Sequence, residues 1–189
     1  MPATQKPATD EHILKLLRAP ETFEQGFRLL VRSYGERLYW HIRRLVLVHE
    51  DADDILQNTF IKVYRGIERF EGKSQLYTWL YRIATNEALS FLEEKRRHQA
   101  HSIEGEANPE LNRIYSDPYF DAEGLQRQLY EAIALLPEKQ RSVFNLRYFE
   151  EMPYETMSQI FNTSVGALKA SFHHAVKKVE TYIRERNLS

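Results

Sequence analysis

Apolar residues recur at helical spacing through most of this chain, and that periodicity limits its fold more than any other feature. One stripe runs from Phe27 to Leu45, a second from Ala52 to Ile67, and a third from Leu76 to Leu92. Side chains three and four positions apart share one face of an α-helix, so each stripe predicts a helix with one buried face. Only 7 Gly and 7 Pro occur in 189 residues, which disfavours β-sandwiches and glycine-rich phosphate loops. The sequence therefore predicts an all-α fold.

The stripes divide the chain into two small helical domains. Residues 1–22 are predicted to form a tail and lead-in, and residues 23–97 a helical bundle in which Asp51 is the N-cap of the second helix. Periodicity is lost over residues 98–124, which are acidic and interrupted by glycine and proline, so they predict a flexible linker. Residues 125–187 regain the pattern and predict four shorter helices.

Several classes of function are disfavoured by the composition and motifs. The chain has no cysteine, which excludes disulfide scaffolds, thiolate metal sites and cysteine nucleophiles. His98 and His101 have no supporting ligand at metal-binding spacing, and no catalytic triad or carboxylate pair has a signature. Gly72-Lys73-Ser74 fails as a phosphate loop because Ile67 stands where the first glycine is required. We therefore expect no metal, no cofactor, no small-molecule substrate and no enzymatic activity.

Nothing in the sequence indicates a membrane protein. No apolar run approaches the roughly 20 residues that cross a bilayer. The first ten residues also lack the apolar segment of a signal peptide. The expectation is a cytoplasmic protein with no membrane insertion.

The formal net charge of -1 averages over segments of opposite sign. Acidic residues concentrate at 50–54 and 104–123, whereas basic residues concentrate at 28–44, 95–97 and 169–186. Basic faces on a neutral chain favour a nucleic-acid binder that also has acidic surfaces for a protein partner. The alternative is that these charge runs are only solvated helix faces.

Residues 153–178 have the spacing of a helix-turn-helix. A short helix opens at Pro153, a polar turn follows at residues 162–164, and a second helix begins after Ser164 as its cap. Small residues near the start of the second helix let it enter a major groove, and polar side chains can donate to phosphates and base edges. The candidate DNA-binding residues are Ser164, Lys169, Ser171, His173, His174 and Lys177. An ordinary helical hairpin is the alternative.

An aromatic cluster flanks the short loop at residues 71–75, close to several basic residues. Its members are Phe70, Tyr77, Trp79 and Tyr81. Aromatic rings beside cations suit stacking on unpaired bases, although a core role is the more common one. We expect Trp79 and Leu80 on the buried face, with Tyr77 and Tyr81 as the more exposed pair.

Three segments together resemble the extracytoplasmic-function group of sigma-70 class sigma factors. Residues 51–64, DADDILQNTFIKVY, resemble region 2.2, and residues 70–86, beginning FEGKS and continuing YTWLYRIATN from Tyr77, resemble regions 2.3 and 2.4. Residues 135–141, LLPEKQR, and the helix-turn-helix resemble region 4. The resemblance covers about residues 23–187 in the family's order, with an acidic linker where the family has one.

The resemblance implies a transcription initiation factor that works by binding, while RNA polymerase carries the chemistry. Its first domain is expected to bind core RNA polymerase and open the minus-ten promoter element, and its second domain to recognise the minus-thirty-five element. The implied polymerase contacts are Asp51, Asp54, Gln57, Asn58 and Lys62. The implied minus-ten contacts are Lys73, Ser74, Tyr77, Tyr81, Asn86, Arg96 and Arg97, with the loop at 71–75 receiving a flipped base. The helix-turn-helix residues named above become minus-thirty-five contacts.

The chain departs from the family in its recognition helix, where members often carry arginines at the positions of Ser171, His174 and Val176. An anti-sigma factor is a further partner that the resemblance leaves open. The acidic linker is expected to let the two domains close on each other or on such a partner. Two other classes remain: a conventional helix-turn-helix transcriptional regulator whose first bundle senses a ligand or dimerises, and a helical interaction module with no DNA role.

Overall fold

The structure is a computed structural model, and it describes residues 9–99, 111 and 123–187. The regular elements within these residues are helical, which confirms the predicted all-α fold. The helices are α1 (Asp10–Arg18), α2 (Phe23–Val46), α3 (His49–Gly66), α4 (Leu76–Gln99), α5 (Gly124–Ala134), α6 (Glu138–Tyr148), α7 (Tyr154–Phe161) and α8 (Val165–Asn187). Among the described residues, no helix combines the length and apolar character that crossing a bilayer requires.

Helices α1 to α4 form the N-terminal bundle. The three predicted stripes line its core, with Leu38, Ile42 and Leu80 fully buried. None of the three stripes includes α1, yet Ile13 and Leu17 of this helix are buried against α2. The N-terminal bundle therefore includes part of the segment predicted as tail and lead-in. The boundaries of the two domains remain a prediction.

The start of α3 corrects the prediction that Asp51 is an N-cap. Helix α2 ends at Leu47 in the left-handed conformation (φ 69°), so the chain reverses within two residues and α3 begins at His49. Val48 is the N-cap, and it makes no side-chain cap hydrogen bond. The Asp51 carboxylate lies in the first turn and accepts a hydrogen bond of 2.6 Å from Lys95 of α4. Asp51 therefore joins two helices instead of capping one.

Helices α5 to α8 form the C-terminal bundle. Its core includes Ile133 of α5, Phe144 of α6 and Val179 of α8. The α7–α8 pair is the predicted helix-turn-helix, with Asn162 left-handed (φ 49°) at the end of α7. The Oγ of Ser164 accepts a hydrogen bond of 3.2 Å from the backbone N–H of Ala167, so the predicted cap of α8 is confirmed.

The two bundles pack directly against each other. Helix α7 contacts α4, and α6 contacts α2. Met152, Met157 and Ile160 of the C-terminal bundle belong to the same apolar cluster as the core of the N-terminal bundle. Leu47 and Ala134 form a second, smaller contact between the bundles. The acidic linker expected to allow such closure lies almost entirely outside the described residues.

Candidate nucleic-acid interface

One exposed face of α3 carries most of the predicted polymerase contacts. Asp54, Gln57 and Asn58 are exposed on this helix, while Ile55 and Val63 on its other side are buried. The periodicity of α3 explains this division, because the apolar stripe faces α2 and α4.

Two of the five predicted polymerase contacts are engaged within the N-terminal bundle. Lys62 forms an ion pair with Glu87 of α4, and Asp51 is bound to Lys95. Two apolar residues outside the predicted contacts also lie on the exposed side of α3, Ile61 (47% exposed) and Tyr64 (50% exposed). Neither residue belongs to the buried stripe of α3. An apolar residue outside that stripe is the feature of the sequence that could have indicated this surface. Exposed apolar side chains beside polar ones are typical of a protein-binding surface.

The loop at residues 71–75 is largely exposed, with Ser74 half-buried. Gly72 has a φ of 71°, a left-handed conformation that glycine adopts without the steric cost of a Cβ. Lys73 is exposed and pairs with the carboxylate of Glu71. The rings of Phe70 and Trp79 lie 5.2 Å apart. Phe70, Tyr77 and Trp79 are partly buried and pack against the apolar core.

Helix α4 presents some of its predicted minus-ten residues and hides another. Asn86, Arg96 and Arg97 are exposed, and Tyr77 is half-buried. Tyr81 is 0% exposed, so the expectation that it belongs to an exposed pair is wrong. Its partner in the C-terminal bundle lies 69 positions away, which no local pattern can reveal. Of the pair expected on the buried face, Leu80 is fully buried, whereas Trp79 is only half-buried.

The first half of α8 is open to solvent despite the packing of the two bundles. Lys169, His173, His174 and Lys177 are exposed, and Ser171 is half-buried. Small exposed residues lie at the start of the helix, at positions 166, 167 and 170. Ser164 uses its side-chain oxygen as the helix cap. The geometry is that of a recognition helix whose N-terminal half is accessible to a DNA groove.

Glu150, in the turn between α6 and α7, makes several polar contacts across the bundle interface. Its carboxylate accepts a hydrogen bond of 2.6 Å from the hydroxyl of Tyr81. It also lies 3.4 Å from the guanidinium of Arg37 and 3.4 Å from that of Arg44. Burial, followed by the hydrogen bond to Glu150, raises the pKa of Tyr81 above its ordinary value, so the phenol stays protonated as a donor. Burial, followed by the charge of Glu150, raises the pKa of Tyr77 to about 12.

Two family models match the chain in order. The model described as Sigma-70 region 2 matches residues 30–98, and the model described as Sigma-70, region 4 matches residues 126–179. The ECF RNA polymerase sigma-E factor of Haemophilus influenzae is 30% identical over 184 residues, covering 93% of this chain and 96% of that one. The chain belongs to the extracytoplasmic-function group of the sigma-70 family.

Other relatives of this sigma factor agree with that membership. The ECF RNA polymerase sigma-E factor of Escherichia coli K12 is 30% identical over 191 residues, covering 93% of this chain and 95% of that one. The RNA polymerase sigma-H factor of Pseudomonas aeruginosa is 28% identical over 172 residues, covering 83% and 86%.

Two solved structures share the fold of this sigma factor. One is the sigma factor RpoE of Bartonella quintana, solved with the anti-sigma factor NepR. It has a TM-score of 0.65 and 24% identity, and the match covers 87% of this chain and 98% of that one. The other is CnrH, solved with the cytosolic domain of CnrY. Its TM-score is 0.68 at 19% identity, covering 93% and 97%.

Family membership decides between the classes of function left open by the sequence. The protein is a transcription initiation factor that binds core RNA polymerase and directs it to promoter DNA. A conventional helix-turn-helix regulator is not favoured, because the N-terminal bundle matches a sigma region and the similarity to sigma factors extends over nearly the whole chain.

Proposed function

We propose that three separate surfaces of this sigma factor divide the work of initiation. The exposed face of α3 binds core polymerase, the loop at residues 71–75 receives a minus-ten base, and the first half of α8 binds the minus-thirty-five element. The observation that carries this proposal is that all three surfaces are exposed while the two bundles are in contact.

The polymerase surface consists of Asp54, Gln57 and Asn58, with Ile61 and Tyr64 at its apolar part. Asp51 and Lys62 position this surface, because their ion pairs hold α3 against α4. A patch that combines exposed apolar side chains with a few charges can gain both burial energy and orientation from a protein partner.

The minus-ten surface combines the loop with basic residues further along α4. Lys73 and Ser74 offer donors at the loop, and Asn86 offers an amide that can read a base edge. Arg96 and Arg97 lie at the far end of α4, where they can bind the DNA backbone. Tyr77 borders this surface with its half-buried ring, whereas Tyr81 is available only when the C-terminal bundle moves away.

The minus-thirty-five surface is the exposed side of α8. Lys169, His173, His174 and Lys177 project from it, and Ser171 lies at its edge. Ser164 fixes the start of the helix as its cap and so orients the residues that follow. Ser164 is also exposed, and its hydroxyl can donate to the DNA backbone while its oxygen accepts the cap bond.

The remaining parts of the proposal concern partners and cellular place. The protein acts in the cytoplasm and performs no chemistry of its own, because the polymerase active site makes the RNA. The proposal includes an anti-sigma factor as regulator, since RpoE of Bartonella quintana was solved with one.

The polymerase surface is tested by titrating the sigma factor into core polymerase and measuring transcription in vitro, so that half-saturation reports the affinity for core polymerase. Asp54→Lys combined with Gln57→Ala is expected to lower core affinity at least tenfold, consistent with the roughly 2–5 kcal/mol that a central interface charge can carry. Glu180→Lys, at an exposed position of α8, makes the same charge change elsewhere and serves as the control. Equal core affinity for the double variant and the control would refute the assignment of α3.

The same assay tests the loop when two templates are compared. Lys73→Ala with Ser74→Ala is expected to impair initiation on duplex promoters and to do so much less on templates already unpaired at the minus-ten element. Lys15→Ala on α1, also at an exposed position, is the control. An equal defect on both templates would mean that the loop only supports the fold.

A further inference from the structure

Glu150 lies in a recess between the bundles, and the hydrogen-bond donors to its carboxylate belong to the N-terminal bundle. Arg37 and Arg44 come from one face of α2, seven positions apart, and Tyr81 comes from α4. Together they address both oxygens of one carboxylate, since Arg44 meets Oε1 while Arg37 and Tyr81 meet Oε2. The Glu150 side chain is only 9% exposed. The recess therefore holds one oxyanion, the Glu150 carboxylate, while Arg44 also lies 4.1 Å from the ring centroid of Phe149.

The turn that delivers Glu150 is held in place by several contacts. Glu151 has a φ of 50°, a sparsely populated conformation for a residue with a Cβ. The next residue, Met152, is fully buried in the shared apolar cluster, and Arg147 donates to its carbonyl oxygen at 3.2 Å. These contacts keep the turn directed at the N-terminal bundle, so Glu150 enters and leaves the recess together with the C-terminal bundle.

The recess would be cationic without Glu150. Two guanidinium groups and one protonated phenol would remain, and each of them is a donor. Arginine presents paired N–H groups that match the oxygens of phosphate as well as those of a carboxylate. An anion in this site would accept charge-assisted hydrogen bonds, which are stronger than those between neutral groups.

The surroundings of the recess favour a nucleic acid over a protein as the source of that anion. An adjoining cavity of about 330 Å³ is bordered by Trp40, whose side chain is exposed at 46%. Arg37 lies over the ring of Tyr77, 5.5 Å from its centroid. Aromatic rings beside arginines bind single strands by stacking and backbone contacts together. Tyr77 and Tyr81 stand two and six positions after the loop at 71–75, so a strand held at the loop can continue towards the recess.

The geometry points to the recess of Arg37, Arg44 and Tyr81 as a binding site for a backbone phosphate of single-stranded promoter DNA, which Glu150 fills while the two bundles are packed together. This inference rests on the proposed role of the loop at 71–75 in promoter opening. Glu150 and the phosphate need the same donors, so they exclude each other. Binding of the strand must therefore weaken the packing of the bundles. Packing of the bundles must weaken the affinity for the strand by the same factor.

Binding of a labelled single strand to the full chain tests the site directly. The probe is a mixed-sequence DNA of about 15 nucleotides, followed by fluorescence anisotropy. Glu150→Gln is expected to bind it about tenfold more tightly than wild type, within the usual range of coupling between two sites. Its salt slope should match that of the wild type, because both proteins make the same phosphate contact once the strand is bound. Adding Arg44→Gln to Glu150→Gln should abolish the gain.

Glu151→Gln is the matched control, because it removes the same charge from the neighbouring, exposed position. If Glu150→Gln and Glu151→Gln raise the affinity equally, or if neither does, the recess is not a phosphate site. If Arg44→Gln weakens binding to core polymerase but leaves single-strand binding of Glu150→Gln unchanged, the recess serves an acidic protein partner, and the DNA proposal is overturned.

A second measurement, energy transfer between dyes on the two bundles, leaves Glu150 and the residues around it unmutated. The chain has no cysteine, so dyes can be placed at Lys15→Cys on α1 and Glu180→Cys on α8, both at exposed positions. Saturation with the single strand is expected to lower energy transfer between the bundles. Unchanged transfer with DNA bound would contradict the proposal. Neither the anisotropy nor the energy-transfer measurement uses polymerase. A negative result in both would therefore reject the phosphate site alone, whereas the proposed function would be rejected by a failure of the wild-type protein to support promoter-specific transcription.

Discussion

The guanidinium of Arg141 donates a hydrogen bond of 2.8 Å to the carbonyl oxygen of Leu45 and thereby joins α6 to the last turn of α2. The same guanidinium donates to the carbonyl oxygens of Ala134 and Leu136, which precede α6. The last carbonyl groups of an α-helix have no partner within the helix, so a buried donor from elsewhere is needed. Arg141 meets this need in both bundles at once.

Replacing Arg141 by alanine should therefore lower stability strongly. We expect Arg141→Ala to reduce the free energy of unfolding by about 3 kcal/mol, because several buried carbonyl groups lose a charged donor. Urea denaturation measures this loss. Lys139→Ala, at an exposed position two residues earlier, should change stability by less than about 0.5 kcal/mol. Similar losses for the two variants would show that Arg141 contributes little to the interface.

Two glycines of α2 should respond in opposite ways to the same substitution. A Cβ at Gly26 would lie 2.9 Å from the backbone nitrogen of Leu17, because α1 crosses α2 at this point. Gly26→Ala should lower the free energy of unfolding by about 1–3 kcal/mol. A Cβ at Gly35 would meet nothing closer than 3.9 Å, so Gly35→Ala should raise it by about 0.5–1 kcal/mol. Thermal unfolding checks both, and a gain in both variants would mean that α1 is not docked.

His41 should make stability depend on pH in the acidic range. Burial, followed by the positive charge of Arg44, lowers the pKa of His41 from 6.5 to about 3. Between these values the unfolded chain binds a proton that the folded chain does not, so the free energy of unfolding falls as the pH falls. The slope from this group should approach about 1.4 kcal/mol per pH unit.

His41→Gln tests this slope, since an amide can still reach the hydroxyl of Thr85, which lies 2.9 Å from Nε2 of His41. Urea unfolding between about pH 7 and pH 4 should show a flatter profile for the variant. His12→Gln on the exposed side of α1 is the control and should keep the wild-type slope. An unchanged slope in His41→Gln would place the pH dependence elsewhere.

Lys169 should contribute to DNA affinity without reading sequence. Its Nζ lies 5.7 Å from the centroid of the Tyr154 ring, which holds the ammonium group at the exposed surface of the helix-turn-helix. Lys169→Ala should weaken binding to all promoters alike and reduce the salt slope by about 0.9 for one lost phosphate contact. Titrations of duplex promoter DNA at several salt concentrations measure both quantities. Arg184→Ala, at the far end of α8, should leave the slope unchanged.

Local sequence patterns were sufficient for most of the helices and for one cap. The stripe of α3 predicted which residues face solvent, and Ser164 caps α8 as its position before Val165 indicated. The pattern of α1 is present in the sequence but lies outside the predicted bundle. Ile13, Leu14 and Leu17 recur at helical spacing, and Ile13 and Leu17 are buried, whereas the predicted bundle begins at residue 23. The Asp51 cap failed because the turn between α2 and α3 is tighter than the pattern indicated.

The sequence by itself determined the two helical bundles, their order and the family, because helix periodicity and capping depend on residues within a few positions of one another. The tertiary structure alone decided that Tyr81 is buried and that Glu150 meets Arg37 and Arg44. These contacts join residues 69 to 113 positions apart, and they form only because the two bundles pack against each other. The burial of an aromatic side chain at such an interface depends on a surface that lies far away in the chain, so no local pattern can specify it.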